Sequence, residues 1–129
     1  MIAVDTNVLL RAIALDDARQ APVALDRLRR ETAVFVSKTV LLEMEWVLRS
    51  GYGFDRAKMR QVFADLLGLS NLDIEDEAAV RRAVDLFAKG LDFADSLHLA
   101  SAGERQFITF DRQLQRKARR IALGSVSEP

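Results

Sequence analysis

Four carboxylates in this 129-residue chain stand where the neighbouring residues are mostly apolar: Asp5, Glu43, Asp95 and Asp111. A carboxylate among core residues is costly to desolvate unless hydrogen bonds or a cation compensate its charge. Because the chain has no cysteine, the pattern predicts one shared hard divalent cation, for which carboxylate oxygens are suitable ligands. An all-carboxylate site of this kind typically acts on phosphate esters.

Magnesium or manganese is the cofactor that such a site favours. Carboxylates that converge repel one another, which raises some of their pKa values, and a divalent cation removes that conflict. Carboxylate and water ligands suit magnesium or manganese better than zinc. The expected reaction is hydrolysis of a phosphodiester. Asn7 and Thr109 lie near two of the carboxylates in sequence and are expected to orient ligands or water.

Asp5 and Asp111 each have an alternative structural role. Each directly precedes a predicted helix, where aspartate commonly caps the N-terminus. Thr6 or Asn7 can cap the first helix equally well, so we expect Asp5 to be free for the site. For Asp111, the place directly after a predicted strand favours the site over the cap.

Asp92 and Asp95 are three residues apart at a predicted helix start, so one of them caps and the other lies in the first turn. Asp92 is the better cap, and Asp95 is therefore the expected metal ligand. Asp92 remains a candidate for a supporting role. Whether Asp92 or Asp111 supplies the fourth carboxylate stays open at this stage.

Glu43 and Glu45 are two residues apart on one predicted helix but have different neighbours. Glu43 has no basic residue three or four positions away, so it has no local ion-pair partner. Glu45 has Arg49 four residues on, which is the usual surface pair. We therefore assign Glu43 to the site and expect Glu45 at the surface. Trp46 and the phenylalanines are expected in the core.

Short apolar strands alternate with amphipathic helices along the chain. The strands are predicted over residues 2–4, 33–36, 72–74, 107–110 and 121–126, and the helices over about 6–14, 17–30, 38–50, 55–67, 76–89, 92–102 and 112–119. This alternation predicts one α/β domain over residues 1–129 with a parallel sheet covered on both faces. In such sheets, sites form beyond the carboxyl ends of the strands, so Asp5 and Asp111 should share one end of the sheet.

Composition places the chain among ordinary globular proteins. The net charge is zero, with 19 basic and 19 acidic residues, so bulk charge does not indicate a nucleic-acid binder. Residues 105–120 hold six basic side chains against one acid, which fits either phosphate contacts or a solvated helix face. No signal peptide or membrane-spanning segment is readable, so we expect a cytoplasmic protein without membrane contact.

The ordered set of acidic motifs resembles the PIN domain family. The segments that carry the resemblance are Asp5-Thr6-Asn7, Leu42-Glu43-Met44-Glu45-Trp46-Val47-Leu48, Ala94-Asp95-Ser96-Leu97-His98-Leu99-Ala100 and Thr109-Phe110-Asp111. Each motif is weak alone, but four in this order are fairly specific, and they span essentially the whole chain. Within the family, the chain is similar to the VapC-type toxin ribonucleases of bacterial toxin–antitoxin pairs.

The resemblance implies a three-layer, Rossmann-like PIN domain with a short parallel sheet flanked by helices. It also implies a magnesium- or manganese-dependent endoribonuclease that cleaves RNA. The catalytic residues would be Asp5, Glu43, Asp95 and Asp111, with metal ligands Asp5, Asp95 and Asp111 and supporting residues Asn7, Asp92 and Thr109. The implied partners are a second copy of the chain and a small antitoxin that places a basic side chain near the acidic pocket.

Two other functions compete with this interpretation. A phosphatase of the haloacid dehalogenase type also begins with an aspartate after its first strand, but it resembles Asp-x-Asp there, and position 7 is Asn. A non-catalytic PIN-like module for protein binding is the second alternative, against which the intact acidic set argues. A response-regulator receiver is excluded because the chain lacks paired acids after its first strand and a late Lys-Pro.

Overall fold

The computed structural model describes residues 1–129 and contains seven helices and five short strands. In chain order these are β1 (Ile2–Ala3), α1 (Thr6–Ala14), α2 (Gln20–Arg30), β2 (Val34–Val36), α3 (Lys38–Ser50), α4 (Arg56–Leu67), β3 (Leu72–Ile74), α5 (Glu77–Ala88), α6 (Phe93–Ala102), β4 (Phe107–Ile108), α7 (Arg112–Arg120) and β5 (Val126–Ser127). They form two compact units, Met1–Glu77 and Ala78–Pro129. None of the helices is both long and apolar enough to cross a lipid bilayer.

The first unit is built on a parallel three-stranded sheet in the order β1-β2-β3. In its central strand, Val34 and Val36 point to one face of the sheet and are completely buried, while Phe35 on the other face is half-buried. Helices α1 and α3 pack against each other in this unit and bury Leu9, Leu41, Met44 and Leu48. Their outer residues are left to solvent.

Side-chain caps fix where the helices of the first unit begin. The Ser37 hydroxyl accepts a hydrogen bond from the Val40 N–H at 3.2 Å, and Asp55 accepts one from the Lys58 N–H at 2.8 Å. Just after β3, the Glu75 carboxylate accepts the Lys38 N–H at 2.8 Å. These contacts satisfy N–H groups that have no partner inside the helix. They tie the start of α3, which carries Glu43, to the end of the sheet.

The second unit pairs β4 with β5 in parallel, with Phe107 opposite Val126. Its apolar cluster is formed by Leu86, Leu91, Leu99 and Leu114. The Phe87 and Phe93 rings meet edge to face with centroids 6.0 Å apart, which is a favourable aromatic geometry. This packing holds α5, α6 and α7 around the short pair of strands.

The last strand differs from the sequence prediction. Residues 121–126 were expected to be a strand, but the chain there closes the end of α7: the Ile121 N–H bonds to the Lys117 carbonyl and the Leu123 N–H to the Ala118 carbonyl, at 3.2 and 2.8 Å. Backbone donors used in this way are not available to a ladder. Strand β5 is therefore only Val126–Ser127.

The expected single sheet is also wrong. Strand β1, which precedes Asp5, belongs to the three-stranded sheet, whereas β4, which precedes Asp111, pairs only with β5. The hydrophobic pattern identifies a buried strand but carries no information about which strand it pairs with. Asp5 and Asp111 therefore follow strands of two different sheets, and the expectation that they share one end of one sheet is wrong.

Candidate functional site

Two carboxylates of the second unit, Asp92 and Asp111, act electrostatically on a third, Asp95. Asp95 is half-buried in the first turn of α6. Burial raises its pKa, and the negative charges of Asp92 and Asp111 raise it further. The nearby side chains of His98 and Lys117 oppose this rise in the pKa of Asp95 without cancelling it. Asp95 is thus the electrostatic centre of this group.

Asp92 fixes the turn that carries Asp95. Its carboxylate accepts the Asp95 N–H at 3.4 Å, which confirms Asp92 as the cap of α6. Its carbonyl accepts the Ser96 hydroxyl at 2.8 Å, and Ser96 is completely buried. Ser96 was not identified from the sequence. A serine on the apolar side of a predicted helix would have indicated a buried hydroxyl that needs a hydrogen-bond partner.

Asp111 caps α7 and is itself held by its neighbours. One carboxylate oxygen accepts the Leu114 N–H at 3.0 Å. The Thr109 hydroxyl accepts the Asp111 N–H at 3.0 Å, and the Thr109 carbonyl accepts the side-chain amide of Gln115 at 2.9 Å. Gln115 is buried and was not identified from the sequence. Thr109 and Gln115 therefore position Asp111 rather than leaving it on a free loop.

Asp5 is the cap of α1, so the expectation that Thr6 or Asn7 would cap this helix is wrong. One Asp5 carboxylate oxygen accepts the Val8 N–H at 3.2 Å. Asp5 is the last residue with extended backbone, while Thr6 is already helical and buried. A cap uses one oxygen, and an ionised carboxylate has a second one with its own lone pairs. Capping therefore does not prevent Asp5 or Asp111 from binding a cation.

One groove of the first unit includes candidate residues. This open groove of about 910 Å³ runs past Asp5 and Asn7 and is bordered by Arg11, Arg19 and Arg27. A second groove, of about 520 Å³, is mostly apolar and is lined by residues of α1, α2 and α4 with no candidate carboxylate among them. The chemistry proposed for Asp5 therefore belongs to the polar groove.

Glu43 and Glu45 lie on opposite sides of α3, but the exposed residue is Glu43 and the buried residue is Glu45, the reverse of the expectation. Glu43 is exposed and has no ion-pair or hydrogen-bond partner. Glu45 is only 2% exposed, so the expectation of a surface Glu45 is wrong, while its pairing with Arg49 is confirmed at 2.9 Å. Glu45 lies on the same helical stripe as Leu41 and Leu48, which are buried.

Because Glu45 faces the core, the next residue on α3, Trp46, faces solvent. Trp46 is 59% exposed on α3, so the expectation of a core tryptophan is also wrong. Phe110 is a second exception among the aromatic residues, because it is 85% exposed directly before Asp111.

The donor set fits a hard cation. Within either unit, no group of three or more His, Cys, Asp or Glu side chains is arranged to hold a metal ion. The group around Asp95 nonetheless offers only carboxylate oxygens, which magnesium and manganese prefer. Burial first, and the charges of Asp92 and Asp111 second, raise the pKa of Asp95, and a bound cation would favour its ionised form. Asp92, Asp95 and Asp111 therefore supply the oxygen donors that such an ion prefers, although they are not arranged around one position.

An α/β fold with short parallel strands and carboxylates at helix starts defines the class of protein. The chain matches the PIN domain family over residues 2–120, and it therefore belongs to that family. This match confirms the predicted three-layer α/β fold class. PIN domains are generally nucleases and typically use divalent metal ions. No curated protein and no solved structure matches the chain.

Proposed function

We propose that the protein is a magnesium- or manganese-dependent endoribonuclease that hydrolyses RNA phosphodiester bonds. The observation that carries the proposal is the setting of Asp95: a half-buried carboxylate in the field of Asp92 and Asp111, within a chain of the PIN family. Such a cluster is unfavourable for the protein alone and becomes favourable when it binds a cation. The ionised Asp95 lowers the stability of the metal-free protein, and a bound cation would offset that cost.

The proposed roles follow from what each side chain has available. Asp5, Asp95 and Asp111 are the metal ligands, since the caps leave one oxygen free on Asp5 and on Asp111. When bound, the metal supplies Lewis-acid stabilisation of charge on the phosphate. Glu43, exposed and unpaired, is available to accept a proton from the attacking water.

Three further residues support this set. Thr109 holds the backbone of Asp111, and Asp92 holds the first turn of α6 that carries Asp95. Asn7 lies beside Asp5 in the open groove and can orient water or substrate there. Residues of this kind set the geometry of the ligands rather than the chemistry itself.

The finer proposal is that the protein is the toxin of a toxin–antitoxin pair. It is supported by the resemblance of the four motifs to VapC-type ribonucleases. The partners would be a second copy of the chain and a small antitoxin that presents a basic side chain to the acidic residues. Trp46, exposed on α3, offers apolar surface for the second copy. A mass measurement in solution, repeated on Trp46→Lys, tests the homodimer.

Cleavage of a mixed RNA pool by the purified protein tests the activity. Cutting should require magnesium or manganese, stop in excess chelator, and fall by at least about 100-fold in Asp95→Asn, since even groups that only support metal ligands contribute 10- to 100-fold. Asp85→Asn is the matched control, because Asp85 is an exposed helical aspartate of the same unit outside the proposed site. Undiminished cutting by Asp95→Asn, or cutting in chelator, contradicts the proposal.

A further inference from the structure

Helix α7 carries a strong positive charge that the proposed catalytic set does not use. Its basic residues are Arg112, Arg116, Lys117, Arg119 and Arg120, and it has no acidic residue. Its buried residues Leu114, Gln115 and Ala118 occupy one side. The four arginines are exposed on the remaining surface.

The arginines of α7 are unpaired, unlike Arg27 and Arg49 on α2 and α3. Arg27 on α2 contacts Glu31 at 2.6 Å, and Arg49 on α3 contacts Glu45 at 2.9 Å. None of the four arginine side chains of α7 has an ion-pair or hydrogen-bond partner. Their charge is therefore not neutralised within the protein.

The positions of these charges are unfavourable for the helix itself. Cations near a helix C-terminus interact well with the helix dipole, which accounts for Arg119 and Arg120. Arg112 is the first residue of α7, where positive charge is disfavoured. Arg112, Arg116 and Arg120 also follow one another at intervals of four, and like charges at that spacing repel. Helix stability does not explain this arrangement.

The same segment joins the candidate catalytic residues to an exposed aromatic ring. Asp111 is the cap of α7, and the charge of Lys117 acts on Asp95. Phe110, the residue before the cap, is 85% exposed. A basic surface beside an exposed aromatic ring is the usual combination for binding single-stranded nucleic acid, where the backbone meets the cations and a base stacks on the ring.

We propose that α7 and Phe110 form the docking face for single-stranded RNA, with Arg112, Arg116 and Arg120 along the phosphate backbone and one base stacked on Phe110. The inference rests on the proposed function in taking RNA as the ligand. From Arg112 to Arg120 the helix rises by about 12 Å, at about 1.5 Å per residue. That span is long enough to contact more than one phosphate, so the face holds RNA next to Asp111 without contributing to the chemistry.

The test measures RNA binding apart from cleavage. Full-length protein carrying Asp95→Asn, in excess chelator, is titrated into a fluorescent single-stranded RNA of mixed sequence at several salt concentrations. In this background the double variant Arg116→Gln, Arg120→Gln should bind about tenfold more weakly near 0.1 M salt. Its slope of log affinity against log salt should be smaller by about 1.4, which is roughly 0.7 for each lost phosphate contact.

Matched variants separate the docking face from general charge. Arg60→Gln, Arg82→Gln removes two exposed, unpaired helical arginines from α4 and α5 and should leave the affinity almost unchanged. Phe110→Leu keeps an apolar side chain but removes the ring, and should weaken binding about fivefold or more. The melting temperature of the α7 double variant should change little, because the relief of like-charge repulsion offsets the lost interaction of Arg120 with the helix dipole.

Three results would overturn the inference: equal losses in the α7 and control double variants, full affinity in Phe110→Leu, or competition by polyglutamate as effective as that by RNA. The last would indicate an acidic protein partner instead. The nuclease proposal is judged separately, by cleavage in metal. Binding that depends on α7 without any cleavage would retain the docking face and reject the nuclease, and cleavage with binding indifferent to α7 would do the reverse.

Discussion

At the scale of single residues, Asp95 combines poor local electrostatics with the chemistry of a metal ligand. Burial and the charges of Asp92 and Asp111 oppose its ionisation. Groups with perturbed pKa values are concentrated at functional sites, because function there outweighs local stability. Sequence spacing predicted Asp92 as the cap of α6, which the structure confirms, and left Asp95 as the proposed ligand.

Asp95→Asn is expected to raise the melting temperature of the metal-free protein near neutral pH by up to a few degrees. The folded-state pKa of Asp95 lies above its ordinary value of 3.8, so the folded state binds the proton more tightly than the unfolded state does. Ionisation therefore costs stability: the cost is absent below the unfolded pKa, grows as pH rises through the folded pKa, and is complete above it. Melting curves of both proteins across pH, in chelator, should converge in acid. A difference that is constant with pH contradicts this assignment.

Glu43 and Glu45 should respond in opposite ways to substitution. Glu43→Gln removes an exposed, unpaired carboxylate, so the free energy of unfolding should stay within about 0.5 kcal/mol while cleavage is lost. Glu45 is buried against Arg49, and Arg49→Met leaves that charge without its partner at a cost of about 1–3 kcal/mol. Denaturant unfolding and RNA cleavage measure both effects. Loss of stability in Glu43→Gln would show that its role is structural.

At the scale of elements, the sequence predicted best what local interactions determine. The predicted bounds of α1 and β3 agree with the structure, because an apolar period is a local signal. Strand β5 was misplaced because pairing and the end of α7 are tertiary features. Glu45 was misplaced because an i,i+4 partner does not show which side of a helix faces the core.

Asp111 allows the cap of α7 to be separated from the proposed metal ligand. Asparagine caps a helix about as well as aspartate, whereas alanine does not and costs about 1 kcal/mol. Asp111→Asn should therefore keep the stability of the metal-free protein and lose cleavage, while Asp111→Ala should lose both. Chemical denaturation in chelator, together with cleavage in magnesium, distinguishes the two. Full cleavage by Asp111→Asn would assign Asp111 to capping alone and favour Asp92 as the fourth carboxylate.

At the scale of the whole molecule, the family match spans residues 2–120 and so runs through both compact units. The order of the four acidic motifs along the chain was sufficient to suggest the family, because four weak motifs in one order are together more specific than any one of them. Charge totals gave no such signal, since 19 basic and 19 acidic residues cancel. The distribution of charge is informative instead: α7 carries five basic residues and no acid, while Asp92 and Asp111 act on Asp95.

The proposal that Asp5 and Asp95 serve the same ion is a statement about the whole chain, and a double-mutant cycle tests it. A ligand that binds only the folded state stabilises it, by about 2.7 kcal/mol at a free concentration 100 times its Kd. Asp5→Asn and Asp95→Asn should each remove most of the stabilisation by magnesium, measured as the rise in melting temperature over chelator. If both hold one ion, the double variant should lose little more than either single variant, because residues with a shared partner are not additive. Asp85→Asn should retain the full rise. Strictly additive losses would mean that the two carboxylates act on separate ions, and the single acidic site would have to be abandoned.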